Sequence, residues 1–241
     1  AGVAGLIGNL QKFLPPRFAI AGDVSDALGM ITVVGPEAAG TLSRLALGLR
    51  VEAGDLTVLQ EGAWRLMGPD LTDGLLVMKR EGVWPEAYSV LGVAEALQEF
   101  WRTLVDDGAV PAGLGVWSTL RVEAGRPVFG TDMDEQTIPI EAGIHKRAID
   151  YEKGCFTGQE VIIRIRDRGH VNRRLRWLRL GDVPTPRSGA ELCAEDSDKV
   201  VGFITSAVQS PKFGEVVGLA YVREGFKTVT LQGRVVKVPQ E

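Results

Sequence analysis

The sequence predicts an α+β fold, in which an antiparallel sheet domain with helices is followed by a small C-terminal antiparallel β-barrel. Three observations support this. A helix-strand-strand-helix order opens the chain. Between residues 51 and 91, short apolar runs alternate with turn residues, as antiparallel strands do. After Pro184-Thr185-Pro186, closely spaced short strands and turns are typical of a small barrel or sandwich.

The first half of the chain carries the clearest periodicity. The predicted elements are, in order, a helix over 1–14, strands over 18–21 and 30–34, a helix over 38–49, strands over 56–59, 64–67 and 75–78, and a helix over 93–107. Pro15-Pro16 ends the first helix, because proline cannot continue the hydrogen-bond ladder. In the last helix, the pattern predicts that Phe100 and Trp101 point inward as part of a core.

The middle of the chain is less regular. Between Gly113 and Gly143 the periodicity fades, and charged residues gather among glycines and prolines. An irregular stretch of this kind inside a domain is usually functional or disordered, and the interleaved apolar residues argue against disorder. Residues 161–180 alternate as a strand does, with Arg164 and Arg166 on one side.

Short strands follow over 199–206, 216–222 and 229–231. The predicted division is therefore a larger domain over residues 1–172 and a C-terminal β-barrel domain over residues 173–241.

Composition limits the classes of protein. The 241 residues are 45% hydrophobic and 24% charged, which is average for a soluble globular protein. The net charge of −4 disfavours a dedicated nucleic-acid binder. No apolar run approaches the roughly 18 residues of a membrane span, and the start lacks the features of a signal peptide. We expect a cytoplasmic protein, or a mitochondrial matrix protein in a eukaryote.

Cys155 and Cys193 are the only cysteines, which fits free thiols in a reducing compartment. The two cysteines and two histidines show no metal-ligand spacing. We therefore expect no metal site, neither a resident iron–sulfur cluster nor a structural zinc.

Cys155 is the leading candidate for a reactive group. It follows Lys153 closely and precedes Gln159-Glu160, and its glycine neighbours allow a tight turn. Nearby cations favour the reactive thiolate form of a cysteine. Composition alone favours the alternative of a small buried hydrophobe, but the polar and glycine neighbours favour function.

Other site chemistries remain as alternatives. His145 and His170 each lie within 15 residues of Cys155, although no orienting motif for a Cys-His enzyme is present. The arginines after residue 163 suit either an anionic ligand or a solvated strand face. RNA binding is less favoured, since stacking aromatics are sparse beyond Trp177.

Three carboxylates carry a similar ambiguity. Glu123, Asp132 and Glu141 suit recognition of a cationic or hydrogen-bonding heterocycle, or equally an arginine-carboxylate network that caps turns.

Residues 153–160, KGCFTGQE, resemble the K-G-C-[FY]-x-G-Q-E signature of the YgfZ proteins, folate-binding relatives of the glycine-cleavage aminomethyltransferase (T-protein). Segments that resemble both branches are LRVEAGRP at 120–127 with GTD at 130–132, PIEAG at 139–143, VGFITS at 201–206 with SP at 210–211, and GPEA at 35–38. The aminomethyltransferases lack the K-G-C-x-x-G-Q-E pattern, so the resemblance favours the YgfZ branch.

The resemblance implies an aminomethyltransferase-like folate-binding fold and a tetrahydrofolate-dependent role in the assembly or repair of iron–sulfur enzymes. Folate and iron–sulfur client or assembly proteins are the expected partners. Cys155 is then the functional thiol and Lys153 its neighbour. The rest of the signature loop is Gly154, Phe156, Thr157, Gly158, Gln159 and Glu160. The expected folate-binding residues are Arg121, Glu123, Glu141 and Arg164.

Two alternatives accompany this reading: a folate-dependent aminomethyltransferase, and an RNA- or protein-binding adaptor without folate. Whether the chain catalyses a reaction is left open. Family members carry a longer N-terminal portion before the predicted strand at 18–21, with a G-x-x-x-D-D-like stretch that nothing here matches. We therefore expect a naturally short form or a domain that lacks its N-terminal part.

Overall fold

The computed structural model describes residues 2–48, 56–70, 73–80 and 86–239. The chain forms two compact units, Gly2–Leu114 and Gly115–Glu241. The predicted boundary between residues 172 and 173 falls in the short link between the last helix and the strand that follows it, and it stays a prediction.

The first unit contains a four-stranded antiparallel sheet among its described residues. Its elements are α1 (Val3–Phe13), β1 (Gly29–Val34), α2 (Ala38–Gly48), a 3₁₀ turn (Leu56–Val58), β2 (Trp64–Met67), β3 (Leu75–Lys79), β4 (Ala87–Gly92) and α3 (Ala94–Asp106). The strand order is β1-β4-β3-β2. Alternate residues of a strand share a face, so Val77, Tyr88 and Val90 lie on the same side, where α2 and α3 pack against them.

This packing confirms the prediction of helices on one face of an antiparallel sheet. The core takes Leu42 from α2 and Leu97, Phe100 and Leu104 from α3. Trp101, predicted to point inward, is instead 42% exposed, because α3 buries only the stripe spaced by three and four residues.

Two predicted strands of this unit are wrong. Residues 18–21 form a turn followed by irregular chain, and Phe18 and Ile20 are exposed. No strand of the described sheets pairs with this segment, so its β propensity is not supported by tertiary contacts. Residues 56–58 form the 3₁₀ turn, which buries Leu56. Strand β4 was not predicted, although it is the most buried strand of the sheet. Leu49, the predicted end of α2, lies outside the described residues.

The second unit begins with three helices and ends with a curled sheet. The helices are α4 (Leu114–Glu123), α5 (His145–Ala148) and α6 (Gln159–Arg168). The strands are β5 (Arg173–Gly181), β6 (Glu191–Cys193), β7 (Val200–Ser210), β8 (Glu215–Arg223), β9 (Thr228–Leu231) and β10 (Arg234–Lys237). Within the described residues, the strands form one antiparallel sheet in the order β10-β9-β6-β7-β8-β5 around an apolar core. The predicted C-terminal antiparallel sheet is therefore confirmed, as a half-barrel.

Two helices replace predicted irregular or extended chain. Residues 114–123, read as irregular, form α4, and residues 161–168, read as a strand, belong to α6. In α6, Ile162 and Ile165 stand three positions apart on one helical face and pack with Ile140 and Val171. The alternation that suggested a strand in this segment therefore does not correspond to one buried face.

Within the described residues, every helix is too short or too polar to cross a lipid bilayer.

Candidate functional site

The signature octapeptide forms a short loop that leads into α6. Gly158, immediately before the helix, has φ 83°, a left-handed conformation that favours glycine. At the other end, the carboxylate oxygen Oδ1 of Asp150 accepts hydrogen bonds from the backbone N–H groups of Glu152 (2.9 Å) and Lys153 (3.2 Å). A side-chain turn and a left-handed residue thus fix the two ends of the loop.

Phe156 anchors the middle of this loop. Its half-buried ring packs against the small cluster of Ile140, Ile162 and Val171. The ammonium group of Lys153 lies 5.6 Å from the centroid of the same ring, a cation–π contact. Cys155, next to the anchor in sequence, is exposed and unbridged. The expectation from composition that Cys155 is buried is therefore wrong.

The remaining loop residues differ in their exposure. Thr157 and Glu160 are exposed, and Gln159 is half-buried. Glu160 lies in the first turn of α6, where a negative charge is favoured by the helix dipole. Arg164 lies on the exposed surface of the same helix.

The neighbouring cation Arg166 has partners other than Cys155. Arg166 pairs with Asp167 (Nε–Oδ1 2.6 Å) and lies 5.1 Å from the centroid of the Tyr151 ring. His145 is half-buried in α5, and His170 is exposed beyond α6.

A buried polar network joins α4 to β7. Nη1 of Arg121 donates to Oδ2 of Asp132 at 2.7 Å, and Nη2 donates to the Ser206 hydroxyl at 2.9 Å. The hydroxyls of Thr205 (2.5 Å) and Ser206 (2.6 Å) both donate to Oδ1 of Asp132, whose side chain has no exposed surface. The backbone N–H of Val128 adds a fourth hydrogen bond to Asp132 at 2.9 Å. Arg121 is therefore committed to a structural network.

The two carboxylates predicted to bind folate, Glu123 and Glu141, have partners of their own. Oε1 of Glu123 accepts hydrogen bonds from the Ser210 hydroxyl and from the backbone N–H of Lys212 (3.4 Å). Oε2 of Glu141 pairs with Nε of Arg173 at 3.0 Å, and the backbone carbonyl of Glu141 accepts from the N–H of Leu175 at 2.7 Å. The arginine-carboxylate network that the sequence left as an alternative is present, and a role in folate binding stays a prediction for each of these residues.

The serine and threonine partners in this network were not predicted as site residues. Thr205, Ser206 and Ser210 stand in the barrel segment that resembles the family, but nothing in their local pattern points to Asp132 or Glu123. Only the pairing of distant segments, about 70 to 90 positions apart, identifies them.

The arginines of β5 are largely paired with carboxylates. Arg174 and Arg176 both pair with Glu224, at 2.8 and 3.2 Å, and Arg179 pairs with Glu215. Arg173, besides its pair with Glu141, lies 4.6 Å from the centroid of the Tyr221 ring. Burial raises the pKa of the Tyr221 phenol. Because each of these four arginines already has a carboxylate partner, the strand is a weaker candidate for binding RNA phosphates than the sequence suggested.

Among the described residues, no three histidine, cysteine or acidic side chains gather as a group that could hold a metal ion.

Comparison with known proteins identifies the family. Residues 6–153 match the model for the GCVT N-terminal domain, and residues 173–239 match the model for the glycine cleavage T-protein C-terminal barrel domain. The aminomethyltransferase of Rubrobacter xylanophilus is 35% identical over 202 residues, covering 83% of this chain and 51% of that protein. The aminomethyltransferase of Thermosynechococcus vestitus is 33% identical over 212 residues, covering 88% and 55%.

A solved structure shares the fold. The glycine cleavage system aminomethyltransferase T from Bartonella henselae matches 99% of this chain and 65% of its own chain, with a TM-score of 0.78 and 22% sequence identity. The chain spans about half the length of the curated relatives named above. Since the two family models together cover most of its length, the chain belongs to the glycine cleavage T-protein (GcvT) family.

Proposed function

We propose that this chain is a YgfZ-type member of the T-protein family, a tetrahydrofolate-binding accessory protein that supports the assembly or repair of iron–sulfur enzymes through the thiol of Cys155. Catalytic turnover is not part of the proposal. The observation that carries it is the signature octapeptide, in which an exposed thiol stands beside a ring anchored in an apolar cluster.

The geometry of the loop supports a role for this thiol. A cysteine that served only to fill a core would be buried, whereas Cys155 is exposed on a loop with defined ends. An exposed free thiol can be reached by a macromolecular partner or by a small electrophile. Iron–sulfur client or assembly proteins are the partners that the resemblance implies.

The residues proposed for folate fit it in part. A folate offers N–H donors on its heterocycle and carboxylates on its tail. Oε2 of the half-buried Glu123 accepts no hydrogen bond from any described residue, so it suits such a donor. Glu141, whose ion pair uses Oε2, is a second acceptor. The exposed Arg164 suits a carboxylate, whereas Arg121 supports the site through its network.

A cellular test exploits the two cysteines. In cells that lack this protein, Cys155→Ser should fail to restore the activity of iron–sulfur enzymes, while Cys193→Ser, which alters the half-buried thiol of β6, should restore it. Both variants should accumulate to the wild-type level on an immunoblot. Full restoration by Cys155→Ser would exclude the proposed role of this thiol.

Folate binding is tested separately on the purified chain. Calorimetric titration with tetrahydrofolate, before and after alkylation of Cys155 in a Cys193→Ser background, should show binding to the unmodified protein. Absence of binding there would remove folate from the proposal and leave the role of the thiol to the cellular test.

A folate-dependent aminomethyltransferase is the second candidate, favoured by the names of the curated relatives. A formaldehyde-transfer assay with tetrahydrofolate and a lipoylated carrier protein distinguishes the two. Robust turnover that persists in Cys155→Ser would place this candidate first.

A further inference from the structure

A cleft lies within the second unit, and none of the octapeptide residues lines it. It has a volume of about 310 Å³ and lies between the turn that follows Glu141 and strand β5. The hydrogen bond from the N–H of Leu175 to the carbonyl of Glu141, at 2.7 Å, ties these two segments together. This volume lies at the lower end of the range of about 300–1,000 Å³ that ligand pockets occupy.

The wall of the cleft is flat, apolar and held in place. Trp177 donates its indole N–H to the carbonyl of Val122 at 2.9 Å, so its only polar atom is satisfied within the protein. Its ring also packs against Phe213 with centroids 5.1 Å apart. Gly125, which has φ 68°, leaves room beside the indole: an added Cβ would lie 4.0 Å from its Cδ1 atom. Leu175 and Leu219 continue the apolar lining.

The rim of the cleft is cationic. Arg126, Lys146 and Arg147 contribute to it, and none of the described residues that line it is acidic. Lys146 is exposed. The adjacent carboxylate of Glu141 is engaged by Arg173. A planar apolar wall below a cationic rim suits a ligand that combines a flat ring with negative charge.

From this arrangement we infer that the cleft beside Trp177 binds small aryl carboxylates, with the ring of the ligand against the indole and its carboxylate at the rim near Lys146. The inference goes beyond the proposed function, because neither the octapeptide nor the residues proposed for folate (Arg121, Glu123, Glu141 and Arg164) line this cleft.

The probe is isophthalate, and its neutral control is isophthalamide, which has the same ring and the same substitution pattern without charge. Binding to ¹⁵N-labelled protein is followed by the indole N–H signal of Trp177, assigned with Trp177→Phe. Isophthalate should shift this signal saturably, and isophthalamide should not. Lys146→Glu should weaken binding about fivefold, the size expected for losing an exposed charge pair, and Lys146→Arg should retain it.

Lys237→Glu is the matched control, because it reverses an exposed charge of β10 that does not line the cleft. Cys155→Ser protein should bind isophthalate as the wild type does, so failure here is separate from failure of the proposed function. Equal binding of isophthalamide, an unchanged affinity in Lys146→Glu, or no saturable shift would each overturn the inference.

Discussion

Replacing Asp132 by alanine should destabilise the second unit severely. The carboxylate of Asp132 is fully buried and accepts hydrogen bonds from Arg121, Val128, Thr205 and Ser206. Its removal leaves the guanidinium of Arg121, whose side chain is only 10% exposed, without its counter-charge. Breaking a buried ion pair by removing one partner costs about 3–5 kcal/mol. The free energy of unfolding should fall by that amount.

The measurement is urea unfolding in a Cys155→Ser background. Unfolding is monitored through the reactivity of the Cys193 thiol in β6, which reports on the second unit. With a denaturant dependence of about 2 kcal/mol per molar urea, the midpoint should fall by about 1.5–2.5 M. Asp196→Ala, in the exposed turn after β6, is the control and should leave the midpoint within experimental error.

A double-mutant cycle identifies the cause. Arg121→Met alone should also destabilise, because it leaves the buried Asp132 without its cation. The double variant should cost less than the sum of the single variants by about 1–3 kcal/mol, since it removes both charges. Additive losses, or a loss below about 1 kcal/mol for Asp132→Ala, would refute the account of the network as a coupled pair.

Two further predictions concern the backbone and pH. Gly158→Ala should destabilise the second unit by about 1–2 kcal/mol, because its φ of 83° strains any residue with a Cβ. Gly154→Ala, in the same loop, is the control. It should leave the urea midpoint nearly unchanged, because the φ of Gly154 is ordinary and the space around it is open. Equal losses in both variants would contradict this explanation. Burial is the largest cause that raises the pKa of the Tyr88 phenol in the folded protein. The contribution of the neutral Tyr88 to stability is therefore present below the unfolded pKa of about 10 and is lost as the pH rises above it. Urea unfolding at successive pH values should show this decline, with a shallower slope in Tyr88→Phe; identical slopes would exclude Tyr88 as its source.

The predictable elements are those whose local pattern agrees with their packing. Helix α3 carries apolar residues at three- and four-residue spacing, and the same residues, Leu97, Phe100 and Leu104, form the core. Strand β3 similarly reads as an apolar run bounded by turn residues. In such elements the intrinsic helix or strand preference and the tertiary contacts favour the same secondary structure.

Helices α4 and α6 show where local pattern is insufficient. Helix α4 buries Arg121 and Val122, and a buried arginine breaks the apolar stripe by which a helix is recognised. Residues 163–166 of α6 alternate isoleucine with arginine, and residues 161–165 are rich in β-branched side chains, which favours a strand by propensity. Their helical form is selected by the packing of Ile162 and Ile165 with Ile140 and Val171, which the local sequence does not contain.

By itself, the sequence determined the α+β class, the C-terminal antiparallel sheet, the resemblance to the T-protein relatives and the position of the signature cysteine, because each of these depends on local residue patterns. Only the tertiary structure decided that Cys155 is exposed, that Asp132 is hydrogen-bonded to Arg121, and that Trp177 lines a cationic cleft. These features depend on contacts between segments far apart in the chain. Side chains such as those of Thr205 and Ser206 acquire their role only when folding brings them to a buried charge that needs hydrogen-bond donors.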